Sequence, residues 1–479
     1  MKKIIIITLA ALSLGLGSCK KYLDINKDPY AVNTVSPDLL FTYAITNWAG
    51  NRASGDNYIP NALMIQSIAS GGNYGWGAEN VYDFSIYSLG NTWKTYYSSA
   101  GNNLKEAIGI AESSEIPNKT AAGQCKITLA ALTYEITMFW GDVPFKEAWD
   151  AENFPYPHFD TQEEVFNSLL SLLDEGMENI KNGDPLTAIT AGDLFYKGNL
   201  EKWTHLANSL KFKILMTMVD KDPSKKTAIA NLLSEGQMIS SAGDNLQMGF
   251  ENTPRHYNPK FALLKAFAGG SNLFFFANNL VLQPMKAQND PRIPKYFDMG
   301  LGVTDYIGVN TEQEADTTIA TISMYLYRPD APELIFSYQE QLFLEAEAYA
   351  RGLGVAPDLG TADAKYKDAL LAACLYYGVS STDANDFVAT KTLMNSNDAV
   401  KEIHLQQWID LMDRPIEEFN NWRRSGPEGA EVPALTLPPG APSGPLFRRW
   451  VYPNAEEISP NPNAPKNNPQ YYEKLWFDL

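Results

Sequence analysis

The chain has 479 residues, 56 acidic against 38 basic side chains and a formal charge of −18. That acidic balance, with no dense Lys/Arg block beyond the first residues, argues against nucleic acid and anionic membrane surfaces as partners. The length is ample for a substantial core, and 25 Tyr, 22 Phe and 10 Trp are more aromatic rings than a helical core usually needs.

Lys2 and Lys3, the apolar run from Ile4 to Leu16 and the small residues Gly15 to Ser18 predict a signal peptide over residues 1–18. The apolar run is shorter than the roughly 20 residues that a helix needs to span a bilayer. Leu16-Gly17-Ser18-Cys19 resembles a bacterial lipobox, so the chain is expected to be cut before Cys19 and acylated on it. Buried acyl chains gain about 0.8 kcal/mol per CH₂, which makes several chains a stable anchor where one is marginal. Residues 19–479 are then read as one domain.

Asp24, Asn26 and Asp28 imitate the start of a calcium loop, but Pro29 and Val35 stand where its Gly and its bidentate Glu belong. A capped turn is the better reading. From about 50 to 91 the chain reads as irregular. Within it Asn73, Tyr74, Trp76 and Tyr82, with Trp93 just beyond, gather aromatic rings and an amide around Gly-rich turns. Trp76 lies between Gly75 and Gly77, without bulky neighbours in sequence.

From about 92 to 220 the spacing predicts four helical segments. KITLAALTYEITMFW carries apolar residues on two faces, Ile127, Ala131, Tyr134 and Met138 on one and Leu129, Leu132, Ile136 and Phe139 on the other, so it belongs inside. Thr161 to Ile180 has a one-sided stripe of Phe166, Leu169, Leu170, Leu173, Met177 and Ile180, with Thr161 and Glu164 as a capping box. Leu200, Trp203, Ala207, Leu210 and Ile214 repeat the pattern, closed by Lys221-Asp222-Pro223.

Residues 241–335, rich in Pro and Gly, break the helical pattern and predict irregular structure with a few short strands or helices. Asn272, Phe274, Phe275 and Phe276 follow Gly269-Gly270 there. Helical spacing returns over about 336–424. SYQEQLFLEAEAYARG has Leu342, Ala346, Tyr349 and Ala350 as its stripe and Gly352 as its C-cap, with Glu340, Glu345 and Glu347 expected on a solvated face. Tyr366, Leu370, Ala373 and Tyr377 mark its partner, and a last helix runs from DAVKEIHLQQWIDLM towards EEFNNWRR. Residues 425–479 are Pro-rich and read as loops packed over the scaffold. The fold class is therefore mainly α, a tetratricopeptide-like stack of helix pairs under an irregular half.

Sites of chemistry are sparse. Cys125 and Cys374 fall within helical periodicity and read as buried apolar residues, not a disulfide or metal pair. The four histidines are scattered, and no G-x-S-x-G elbow, phosphate loop or dinucleotide motif occurs. No metal or cofactor is expected. What stands out is binding chemistry: the rings of Tyr74, Trp76, Tyr82, Phe274 and Phe275 beside the amides of Asn73 and Asn272 suit sugars, whose C–H faces stack while hydroxyls hydrogen-bond. A glycosidase would need only two facing carboxylates, which 56 acidic residues leave open. A scaffold whose helices bind only protein partners is a further alternative.

The lipobox with CKKYLDINKDPYAVNTVSPDLLF, then FWGDVPFKEAW, QLFLEAEAYARG, EEFNNWRR and RRWVYPNAEEISPNPN follow one another along almost the whole chain. In this ordered set the chain resembles the SusD/RagB family of nutrient-binding outer-membrane lipoproteins of Bacteroidetes, in particular its second SusD-like subgroup. The resemblance implies about four tetratricopeptide-like helix pairs and a position on the extracellular face of the outer membrane, held by the lipid on Cys19. It also implies a partner, a SusC-like TonB-dependent transporter, to which a captured oligosaccharide or peptide is delivered without bond cleavage. Ligand sites of the family lie in irregular segments corresponding to about 70–90 and 255–330 here.

Overall fold

Apolar residues at helical spacing organise most of the chain, as the computed structural model makes visible for residues 35–479 apart from 71–81, 84, 271–273, 312–314, 395–397, 426–430, 439, 442–444, 454–457 and 459. The signal peptide, Cys19 and the calcium-like stretch 24–28 lie outside the described residues. Contacts divide the chain after Ser36, and every described helix and strand belongs to the unit Pro37–Leu479.

Helix α1 (Pro37–Arg52) buries Phe41, Ala44, Ile45, Trp48, Ala49 and Arg52, an i, i+3, i+4, i+7 stripe. Helix α2 (Tyr58–Met64) follows, buried throughout. Helix α3 (Ile86–Lys94) continues through a π-helical stretch, Thr95–Gly101, into α4 (Asn102–Ser113). Residues 50–91, read from sequence as irregular, thus contain α2 and the start of α3. A seven-residue helix offers too few turns for a period to show.

Helix α5 (Lys119–Trp140) is buried from Thr120 to its last residue, as its two apolar faces require. It packs against α1, α4, α6 (Gln162–Asn182) and α7 (Leu200–Met218). Gly123 and Gly176 allow the closest approach of α5 and α6, since a Cβ on Gly123 would lie 2.6 Å from the Gly176 carbonyl. The expected capping box is present, with Thr161 accepting from the Glu164 N–H and Glu164 from the Thr161 N–H. Helix α8 (Lys226–Glu235) completes this half.

Between the halves lie short elements: β1 (Ile68–Ser70), β2 (Leu246–Met248), α9 (Pro259–Ala268), β3 (Phe275–Ala277), α10 (Asn279–Ala287), α11 (Ile293–Tyr296), β4 (Phe297–Asp298), β5 (Thr321–Ile322) and β6 (Glu333–Phe336). They form an antiparallel sheet of order β1-β3-β5-β4 and a pair β2-β6. The second helical half is α12 (Tyr338–Arg351), α13 (Leu359–Tyr376), α14 (Ser381–Ala389), α15 (Ala399–Asp410) and α16 (Pro415–Arg424). Gly352 caps α12 at φ 68°, the left-handed conformation that glycine adopts without penalty.

The core is continuous from α1 to the end of the chain, with Trp48, Trp140, Trp203, Trp408, Trp422 and Trp450 fully buried. The Pro-rich tail does pack over the scaffold: the Trp450 N–H donates to the Phe139 carbonyl, and Phe447, Leu475 and Phe477 join the core. A second cluster joins α12 to α15 through Phe343, Tyr366, Leu370 and Ile403. Cys125 and Cys374 are buried free thiols, and burial pushes the Cys374 thiol up to about 11.

The expected solvated face of α12 is corrected by the structure: Glu340, Glu345 and Glu347 are all buried. Glu340 meets Lys213 (2.7 Å) and Arg414, Glu345 meets Lys365 (2.6 Å), and Glu347 meets Arg424 (2.7 Å) and Arg351 (2.8 Å). Helix α12 lies between α7, α13 and α15, so its polar side faces other helices and needs charged partners there. Burial works to raise the Glu347 carboxyl, but Arg424, His404 and Arg351 together hold it well below the usual range.

Candidate functional site

Two paired strands each adjoin, in sequence, a stretch that the sequence marks for binding. Strands β1 and β3 are antiparallel, with Ile68 opposite Ala277 and Ser70 opposite Phe275. The chain therefore leaves β1 and enters β3 at the same end of the sheet. Asn73, Tyr74, Trp76 and Asn272 follow or precede these strand ends and lie outside the described residues.

The other rings singled out from sequence are core, which corrects their reading as ligand platforms. Tyr82 is 3% exposed, its ring 5.5 Å from that of Tyr471 and 5.9 Å from that of Phe447. Its φ of 60° is a left-handed backbone conformation, and burial pushes its hydroxyl up to about 12. Phe274 and Phe275 are 3% and 2% exposed, with the Phe275 ring 6.0 Å from that of Tyr327. Phe276 packs with Ala69 and Val309, and Trp93 lies between Tyr97 and Trp140. Each ring removes some 150–250 Å² from water by turning inward, and partners from the C-terminal tail and from residues 325–327 complete the pockets.

Two aromatic residues that sequence reading passed over are open to solvent near these stretches. Tyr87, in the first turn of α3, is 74% exposed, and Phe267, in the last turn of α9, is 66% exposed. Both helices flank the turn that joins α1 to α2. Asp56 accepts from the side-chain amide of Asn91 in α3 (3.0 Å), while a Cβ on Gly55 would meet the Leu263 side chain of α9. For Tyr87 the signal is its helical alignment with Asn91 and Lys94, a polar stripe; Phe267 aligns with Leu263 and Leu264 and carries no such signal.

Beneath lies a cavity of about 130 Å³, lined among others by Lys260, Tyr325, Arg328, Glu333, Tyr376 and Asp413. Its charges are closed on one another. Lys260 Nζ is 2.8 Å from Asp413 and 4.8 Å from the Tyr58 ring centroid, and the Tyr58 hydroxyl donates to Asp413 Oδ1 at 3.1 Å. Burial, then Tyr327 and Asp413, push the Tyr58 hydroxyl well above the usual phenol range. Arg328 and Lys295 flank the Tyr325 ring at 4.8 and 5.5 Å. Here each carboxylate has a cation partner: Glu333 is tied to Arg52 at 3.0 Å. The arrangement suits ordering of the surrounding segments, not proton transfer to a substrate.

Among the described residues no group of three or more His, Cys, Asp or Glu is placed to hold a metal ion. Nor is any helix there long and apolar enough to cross a membrane.

The family model SusD-like_2, described as starch-binding associating with outer membrane, matches residues 29–453. Comparison with curated proteins finds no match. Among solved structures, a chitin-binding protein superposes with a TM-score of 0.79 at 22% identity, over 93% of this chain and 100% of that one. A SusD/RagB family protein from Bacteroides thetaiotaomicron does so with 0.76 at 22%, over 93% and 99%. A chitin-binding SusD homologue from Flavobacterium johnsoniae gives 0.73 at 19%, over 92% and 97%. At these identities the likeness shows a shared mainly helical fold. The family model adds the sequence match along most of the chain, and with it this chain belongs to the SusD/RagB family, in its second SusD-like group.

Proposed function

We propose that the protein is a glycan-binding lipoprotein of the outer membrane, which captures oligosaccharide outside the cell and passes it to a TonB-dependent transporter of the SusC type. The observation that carries the binding reading is the β1–β3 register, which makes Ser70 and Phe275 neighbours at the points where the segments with Asn73, Tyr74 and Trp76 and with Asn272 join the sheet. Tyr87 and Phe267 add exposed rings close to those points in sequence. Rings stack on the C–H faces of pyranoses, and amides bond their hydroxyls. The family's description and the chitin-binding relatives support a glycan as the ligand class. Cys19 is the lipid tether in this reading, and binding and delivery, not bond cleavage, are the activity.

The test is isothermal titration of the detergent-solubilised full-length protein with maltohexaose and with chitohexaose. Trp76→Ala weakens the binding of at least one of them by about tenfold or more while the unfolding transition stays in place. An unchanged affinity removes Trp76 from the site. Absence of binding to any glycan in a wider panel would sink the glycan reading.

A further inference from the structure

A second opening lies among elements that contribute no strand to the sheet. It is a cleft of about 420 Å³ between α4, α5, α6 and the segment joining α5 to α6. That volume is within the roughly 300–1,000 Å³ of small-molecule sites. Apolar Leu129 and Leu172 line it, and Phe145 and Trp149 supply aromatic walls.

These rings are held by specific bonds. Val143 and Asp160 bridge the two ends of their segment, and Asp160 Oδ2 accepts from the N–H groups of Phe145 (3.0 Å) and Lys146 (2.9 Å). The π-helical stretch before α4 grips the segment twice: the Tyr97 hydroxyl donates to the Pro144 carbonyl at 3.0 Å, and the Trp149 indole N–H donates to the Tyr97 carbonyl at 2.7 Å. Gly101 leaves room for the Trp149 ring, which any Cβ there would strike. Trp149 itself has φ 61°, a left-handed conformation that costs a bulky residue free energy and that concentrates at ligand clamps. A π-helical stretch has the same association with functional sites.

Facing these rings is an ionic cluster. Lys126 Nζ is 2.8 Å from Glu112 and 3.0 Å from Glu175, and while Lys126 is largely buried both carboxylates are about half exposed. An ionised carboxylate accepts at both oxygens, so each keeps acceptor positions for a ligand O–H after bonding the ammonium. Lys146, on the rim, is matched by Asp160 and Glu164. With Lys105, the cleft and its rim hold three ammonium groups against four carboxylates, a slightly negative balance that disfavours an anionic ligand, and aromatic walls with carboxylate acceptors favour a neutral, hydroxyl-rich one.

We propose that this cleft is a second saccharide site, taking a pyranose unit of a neutral oligosaccharide against Trp149 and Phe145 with its hydroxyls on Glu112 and Glu175. It shares the ligand class of the function proposed above but none of its residues.

The same titration tests it with Glu112→Gln/Glu175→Gln, which keeps the shape and removes the anionic acceptors. Ser171→Tyr, an exposed change at the cleft that fills it without touching the core, is the second variant. The expected result is that wild type shows two classes of site for maltohexaose or chitohexaose, and that both cleft variants weaken one class by about tenfold or more. Trp76→Ala is expected to affect only the other class. Wild-type isotherms retained by both cleft variants, or no binding of either oligosaccharide to wild type, overturn the cleft proposal. Loss in the cleft variants alongside an unaffected Trp76→Ala upholds the cleft and counts against the sheet-end site.

Discussion

Replacing Arg52 by Met tests whether the buried ion cluster holds the two halves of the fold together. Arg52 Nε is 3.0 Å from Glu333, Nη2 is 2.9 Å from Glu417, and Nη1 donates to Glu135. One guanidinium thus joins α1, α5, β6 and α16, in a region where all four side chains are buried. Burial alone would lower the Arg52 pKa, but Glu135, Glu417 and Glu333 outweigh it and raise it. Met keeps most of the apolar stem and removes the cation, leaving three buried carboxylates facing one another. Removing one partner of a buried pair costs about 3–5 kcal/mol, and three partners place the loss at or above the middle of that range. Against a typical stability of about 5–15 kcal/mol this is a large fraction. The sign of the pH effect follows from the same geometry. Burial already raises the Glu135 and Glu333 carboxyls against the lowering effect of Arg52, and removing that cation raises them further, so their contribution is favourable below the ordinary value near 4.5 and is lost as pH rises through the raised values. The deficit of Arg52→Met is therefore smaller at pH 5 than at pH 7.5. Urea unfolding followed by far-UV circular dichroism at both values reads it directly. A loss under about 1 kcal/mol, or one equal at both pH values, would refute the reasoning.

Other substitutions separate core from site. Tyr82→Ala is expected to cost about 3 kcal/mol in the same unfolding assay, since its ring fills a pocket among Phe447 and Tyr471, and to leave the affinity of the folded fraction for oligosaccharide unchanged. A specific loss of affinity without loss of stability would return it to the binding surface. Glu418 is fully buried on α16, and burial pushes its carboxyl well above the usual range. A raised carboxyl contributes stability below its unfolded value near 4.5 and loses it as pH rises, so Glu418→Gln should gain on wild type as pH increases from 4 to 8. A thermal shift difference that is flat over that range would contradict this.

Local signals were legible in the sequence, and distant partners were not. The Thr161–Glu164 capping box, the Gly352 cap and the two apolar faces of α5 each depend on residues within a few positions of one another, and each is present. The stripe of α1 was equally local, but it precedes a stretch dominated by glycine and aromatic residues that draws attention away from it. Helix α12 reads as amphipathic because its glutamates are charged. Their partners Lys213 in α7, Arg414 just before α16 and Arg424 at its end are distant in sequence, so only the assembled stack reveals that this face is buried. The same holds for Tyr82, Phe274 and Phe275: whether a ring next to a Gly-rich turn faces ligand or core is decided by Phe447, Tyr471 and Tyr327, far along the chain. The β1–β3 register likewise joins segments about 200 residues apart, a pairing that alternation over three residues cannot specify.

The proposed capture and delivery are tested most directly by affinity purification of the tagged protein from detergent-solubilised outer membranes of its own bacterium, with mass spectrometry of whatever accompanies it in stoichiometric amount. The account predicts a large TonB-dependent barrel as that companion, and lipid on Cys19 of the recovered chain. Recovery of the protein alone from those membranes would contradict the delivery step and leave a binder without a transporter.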